Sequence, residues 1–159
     1  MNNLLNLIHY NNGGHIMKDN INALDELNKG ASMGKETISY VLDNVNDKKL
    51  KKVLENQLKE YERLLCKISK IYRKYNNDKE PHEINRMEKS MAKKGLEMRL
   101  FTDDSASRIS ELFLKGTNMG IIEGRKLLNN KNIDKKVHSL LDEFVNMQEA
   151  YVEKLKEFL

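Results

Sequence analysis

Apolar and small residues recur at every third or fourth position along most of this chain, the spacing of one face of an α-helix. Between Ile21 and Val45 they fall at Leu24, Leu27, Ala31, Gly34, Ile38, Val41 and Val45. Asn44-Val45-Asn46-Asp47 breaks the pattern, and Asp47 has the chemistry of an N-cap for the next helix. A second stripe runs through Leu50, Leu54, Gln57, Tyr61, Leu64, Ile68, Ile71 and Tyr75. It stops at Asn76-Asn77-Asp78, with Pro81 just beyond. So short a link makes these two helices an antiparallel pair.

The stretch from His82 to Asn130 is too long for one further helix of the same set. At 1.5 Å per residue it would reach roughly 70 Å, against about 40 Å for the second helix. Thr102-Asp103-Asp104-Ser105 supplies a cap-rich break. The reading is therefore a connecting helix near Glu83–Phe101, with Ile84, Met87, Met91 and Met98 on one side, then a third long helix from about Asp104 to Asn129. A fourth, Asp134 to Phe158, carries Val137, Leu140, Leu141, Phe144, Met147, Gln148, Tyr151, Val152 and Leu155. The predicted fold class is all-α: an antiparallel four-helix bundle with a long crossover that carries an extra helix.

Composition supports one such domain. The chain has 159 residues, 33% of them charged, with one Pro, one Cys and no Trp. A single cysteine excludes a disulfide framework and a multi-thiolate metal site, and places the protein in a reducing compartment, the cytoplasm. No run approaches the ~20 apolar residues that span a bilayer. The net charge of +4 comes from 28 basic and 24 acidic residues, interspersed as on solvated helix faces. Basic clusters are short (Lys48, Lys49, Lys51, Lys52; Lys93 and Lys94; Lys135 and Lys136) and no aromatic residues interleave with them, which argues against nucleic-acid binding.

Residues 1–16 hold no charged side chain, and the regular pattern begins after Met17. Gly13-Gly14 can be encoded as a bacterial ribosome-binding sequence ahead of the Met17 codon. The expectation is that residues 1–16 are a translated leader, or otherwise a disordered tail, and that 17–159 form the single helical domain.

Three polar residues stand on stripes that should be apolar: Gln57, Glu123 and Gln148. On the third long helix, Ile109, Leu112, Gly116, Met119, Gly120 and Leu127 define the expected inward face, and Glu123 projects within about 20° of its centre. A carboxylate there must take a donor such as the Tyr61 hydroxyl or a lysine, become protonated, or bind a cation. Gly116, Gly120 and Gly124 each cost about 1 kcal/mol against Ala in a helix interior. Close approach of a neighbouring helix is the expected compensation, with space for a ligand as the other reading. Leu114, Ile121 and Leu128 fall on the opposite side of the same helix, which predicts a homodimer through that face; the alternative is that the connecting helix covers it. Cys66, roughly opposite the stripe of the second helix, reads as an exposed or interface thiol, His138 as a flank residue and His82 as a turn residue.

Leu27–Glu36 (LNKGASMGKE) and Asp103–Asn129 (DDSASRISELFLKGTNMGIIEGRKLLN) resemble ferritin-like proteins of low-GC Gram-positive bacteria, a likeness that extends over nearly all of 17–159. Spore-coat proteins with a ferritin-like domain are a more distant likeness. The resemblance implies a ferritin-like bundle. Metal enzymes of that superfamily place a Glu on each of two helices and Glu-x-x-His on the other two. This chain has no Glu-x-x-His, Glu36 points away from its stripe, and the inward polar residues of the second and fourth helices are the amides Gln57 and Gln148. The expected function is therefore non-catalytic, structural or interaction-type, with Gln57 and Gln148 fixing helix register as buried amides do in coiled coils. The alternative is a metal-binding or redox protein holding iron or manganese at an atypical site around Glu123, Gln57, Tyr61 and Gln148.

Overall fold

A computed structural model describes residues 2–77, 79–82, 84, 85, 89–91, 93–95, 97, 103–130 and 132–159, with residues 2–13 as backbone only. Four long helices account for most of it: α1 (Asn2–Val41), α2 (Lys48–Tyr75), α3 (Ala106–Leu128) and α4 (Lys135–Lys156). Among the described residues there is no strand, and no helix is long and apolar enough to cross a membrane. Helix α1 runs through Met17 without a break. Glu83, Met87, Met98, Phe101 and Thr102 of the connecting segment lie outside the described residues.

The helix starts follow the cap chemistry. Asp47 Oδ1 accepts from the backbone N–H groups of Lys49 (2.9 Å) and Leu50 (2.8 Å), satisfying donors that the first turn of α2 leaves unpaired. Ser105 Oγ accepts from Arg108 N at the start of α3 (3.2 Å). At α4 the N-cap residue, Asp134, makes no side-chain cap bond. Asp134 donates its backbone N–H to Asn20 Oδ1 of α1 (2.8 Å), and its carboxylate accepts from the Tyr75 hydroxyl of α2 (2.7 Å). One residue thus ties the end of α2 and the start of α4 to the middle of α1.

Helix α1 packs along α2, and α3 along α4, with α2 also lying against α4. The core is built from Leu24, Leu27, Ala31, Ile38 and Val41 of α1, the α2 stripe from Leu50 to Tyr72, and Val137, Leu140, Leu141, Phe144, Val145 and Leu155 of α4. Helices α1 and α3 approach each other only sparsely. The segment after α2 returns alongside α1: His82 meets Asp25, Lys89 meets Glu36 (3.2 Å), and Glu97 accepts from the Tyr40 hydroxyl (2.5 Å). From Asp25 to Tyr40 that path covers roughly 22 Å of helix, which carries the chain back to the end where α3 begins. Residues 89–91 and 93–95 of this segment are helical. Ile84 is buried, whereas Met91 is exposed.

Helix α3 is turned by about one residue position, roughly 100°, from the orientation its glycines suggest. Its buried residues are Ile109, Ser110, Phe113, Leu114, Thr117 and Gly124. Leu114 is 9% exposed, and Ile121 and Leu128 are half-buried against the same core. These three residues therefore pack inside the chain and do not form the outward dimer face expected of them. The physical reason is bulk: α3 is apolar on two sides, and the side with Phe113, Leu114 and Ile121 buries more area than the side with glycines.

Candidate functional site

Midway along the helices a polar layer crosses the core. Tyr61 of α2 donates its hydroxyl proton to Gln148 Oε1 of α4 at 2.9 Å, and both residues are buried. Gln57 stands one turn before Tyr61, and its Oε1 is buried without a partner. Burial pushes the Tyr61 hydroxyl up to about 12. The layer is neutral throughout.

Tyr61 stands one turn after Gln57 on α2 and bonds Gln148 on α4. Gly34 makes room for it: a Cβ there would sit 2.6 Å from both Cε2 and the hydroxyl of Tyr61. On the other side Gly120 is the close neighbour, since its Cβ would lie 2.5 Å from Gln148 Nε2. A Cβ at Gly124 would lie 2.5 Å from Val145 Cγ2. These three glycines have the expected cause, close helix approach. Gly116 differs: a Cβ there meets nothing within 4 Å.

Glu123 does not join this layer. Its side chain is 66% exposed and pairs with Lys126 one turn on (2.7 Å), which the rotation of α3 explains. The four candidates therefore separate into three that meet (Gln57, Tyr61, Gln148) and one that does not. The three offer amide and phenol groups without a carboxylate or an imidazole. Among the described residues no group of three or more His, Cys, Asp or Glu is placed to hold a metal ion. The donor set does not fit a pair of irons or a manganese, which need anionic or imidazole ligands.

What the layer does border is a cleft of about 370 Å3 between α1 and α3. Its walls are Leu27, Gly30, Met33 and Ile38 on one side and Leu112, Gly116, Met119 and Leu127 on the other, with Phe144, Tyr61 and Gln148 as floor. Glu26, Lys29 and Glu123 stand on its lining as well. Lys29 Nζ is 2.7 Å from Glu26 Oε1, and both side chains are solvent-accessible. The α3 face predicted to be inward is thus the wall of an open groove. That volume lies within the range of small-molecule sites, roughly 300–1,000 Å3.

One cluster carried no sequence signal. Asp25, buried on α1, accepts from His82 N (2.8 Å) and from the Tyr72 hydroxyl (3.2 Å), and sits 2.8 Å from His82 Nδ1. Asn28 Nδ2 donates to His82 O (3.1 Å). An acidic residue beside a helix stripe reads as solvated surface. Only the returning segment, more than fifty residues away, makes it a clamp. Cys66 is exposed, and exposed His138 lies 3.1 Å from Asp142 on its own helix.

Comparison of the chain with family models, with curated proteins and with solved structures gives no match.

Proposed function

We propose that this chain is a cytoplasmic, non-catalytic binding protein of ferritin-like architecture that receives an apolar guest in the cleft between α1 and α3. The helix order supports the architecture: short links at residues 42–47 and 129–134, and a long return between α2 and α3. The observation that carries the reading is Gly116. It carries no side chain on the wall of an apolar cleft, where a Cβ would touch nothing, so helix packing does not account for it. A glycine that weakens a helix and serves no contact has its use in the space it leaves.

The neutral Gln57–Tyr61–Gln148 layer supports a binding role over a redox one. It positions four helix surfaces around the cleft floor and supplies no group for proton transfer near neutral pH. The test is thermal denaturation of the full chain with butylbenzene or butyrophenone. A guest that binds only the native state raises the melting temperature. Wild type responds to the probes, whereas Gly116→Leu, which fills the cleft from a position free of neighbours, does not. No response to either probe in wild type, or an unchanged response in Gly116→Leu, overturns the reading.

A further inference from the structure

The floor of the cleft specifies more than apolar character. Gln148 is 2% exposed, yet its amide nitrogen donates to no described residue. Tyr61 occupies Gln148 Oε1, and that bond turns Nε2 toward Gly120 on the cleft wall. The unpartnered group is therefore a hydrogen-bond donor, nearly buried, on the lining of a mostly apolar cleft.

The Tyr61 bond fixes that polarity: with Oε1 taken by the hydroxyl, the end of Gln148 left at the cleft is its N–H pair. A guest that covers Nε2 without accepting from it leaves a buried donor unsatisfied, which is costly. An acceptor on the guest removes that cost.

The charges nearby decide what kind of acceptor. The charged groups on the lining are Glu26, Lys29 and Glu123, and each has an opposite partner: Lys29 with Glu26, and Glu123 with Lys126. None of these four is a buried residue. No cation among the described residues stands at the floor, where the buried neighbours are Phe144, Tyr61 and Gln148. An anionic head would lose its water and gain one neutral amide, which is a poor exchange. An ammonium head would meet a donor.

Resting on the reading of the cleft as a guest site, we propose that it takes a small neutral carbonyl compound with an apolar body, its carbonyl oxygen accepting from Gln148 Nε2. Ketones, esters and amides share this chemistry. At the roughly 30 Å3 that a water occupies in the liquid, the cleft holds about a dozen non-hydrogen atoms.

The test compares four probes of one body on the full chain: butyrophenone, butylbenzene, 4-phenylbutyrate and 4-phenylbutylamine. Butyrophenone is expected to bind about tenfold more tightly than butylbenzene, the factor a single neutral hydrogen bond supplies. The two charged probes are expected to be the weakest. In Gln148→Met, which keeps the side-chain length and loses the donor, the ketone preference disappears while butylbenzene still binds. A second measurement needs no variant: the Gln148 side-chain amide protons of wild type move downfield with butyrophenone and not with butylbenzene. Equal binding of ketone and hydrocarbon overturns the carbonyl assignment and leaves the cleft reading standing. Tightest binding of the amine, or of the carboxylate, overturns it too. Binding of none of the four overturns both.

Discussion

Tyr61 reaches across the core from α2 to donate a 2.9 Å hydrogen bond to Gln148 Oε1 on α4, and Gly34 of α1 leaves the space its ring occupies. Three helices are registered by that contact. Tyr61→Phe leaves Gln148 Oε1 buried without its donor. The expected loss is about 1–3 kcal/mol, read as a lower urea midpoint with an unchanged slope. Gln57→Met is expected to be close to neutral, because it also removes an oxygen that already lacks a partner.

The same hydroxyl predicts an alkaline response. In the unfolded chain a tyrosine titrates near 10, whereas burial holds Tyr61 up to about 12 in the native state. Below about pH 10 both states keep the proton and the group adds no pH dependence. Above it the unfolded state binds fewer protons, so stability falls as pH rises and levels off once the native hydroxyl titrates. Urea midpoints from about pH 9 to 12 should fall less in Tyr61→Phe than in wild type. Tyr75, also pushed up to about 12 by burial and by its hydrogen bond to Asp134, keeps part of the effect in the variant.

Glycines on the two cleft walls should respond oppositely to alanine. Gly34→Ala forces a methyl to within 2.6 Å of the Tyr61 ring and hydroxyl, and overpacking of this kind costs about 1–3 kcal/mol. Gly116→Ala meets nothing and gains helix propensity, worth about 0.5–1 kcal/mol of added stability. Chemical denaturation of the two variants checks both signs.

Asp25 fastens the returning segment to α1 through His82 and holds the Tyr72 hydroxyl at the same point. Asp25→Ala should free that segment before the helices unfold. Limited trypsin digestion is expected to cut faster after Lys89, Lys93 and Lys94 in the variant, at a denaturant concentration where the helical signal is unchanged. Equal cutting rates would remove the clamp from the account.

The helices themselves were legible in the sequence because their stripes, caps and breaks are local features. Asp47, Ser105 and the Asn76–Asn77 stop, where Asn77 takes φ 47, behave as their chemistry implies. The facing of α3 was not legible. A helix with Phe113, Leu114 and Ile121 on one side, and glycines, Met119 and Glu123 on the other, gives two defensible inward faces, and only the bulk of Phe113 and its neighbours decides between them. Glu123 moved to the surface with that choice. Gln57 and Gln148 were visible as polar residues on apolar stripes. Their use was not, because the unpartnered nitrogen depends on which helix Tyr61 reaches. Asp25 and Asn20 escaped for a similar reason: each is completed by a partner distant in sequence.

Met33 and Met119 stand on opposite walls of the cleft, on α1 and α3, and their methyl groups are direct reporters of what enters it. With methionine methyls carbon-labelled in the full chain and butyrophenone added, nuclear Overhauser contacts are expected from the probe to both Met33 and Met119. Met91 and Met147, which lie off the cleft, are expected to show none. Contacts at Met91 or Met147 in place of this pair, or at no methionine at all, would contradict a guest site between α1 and α3.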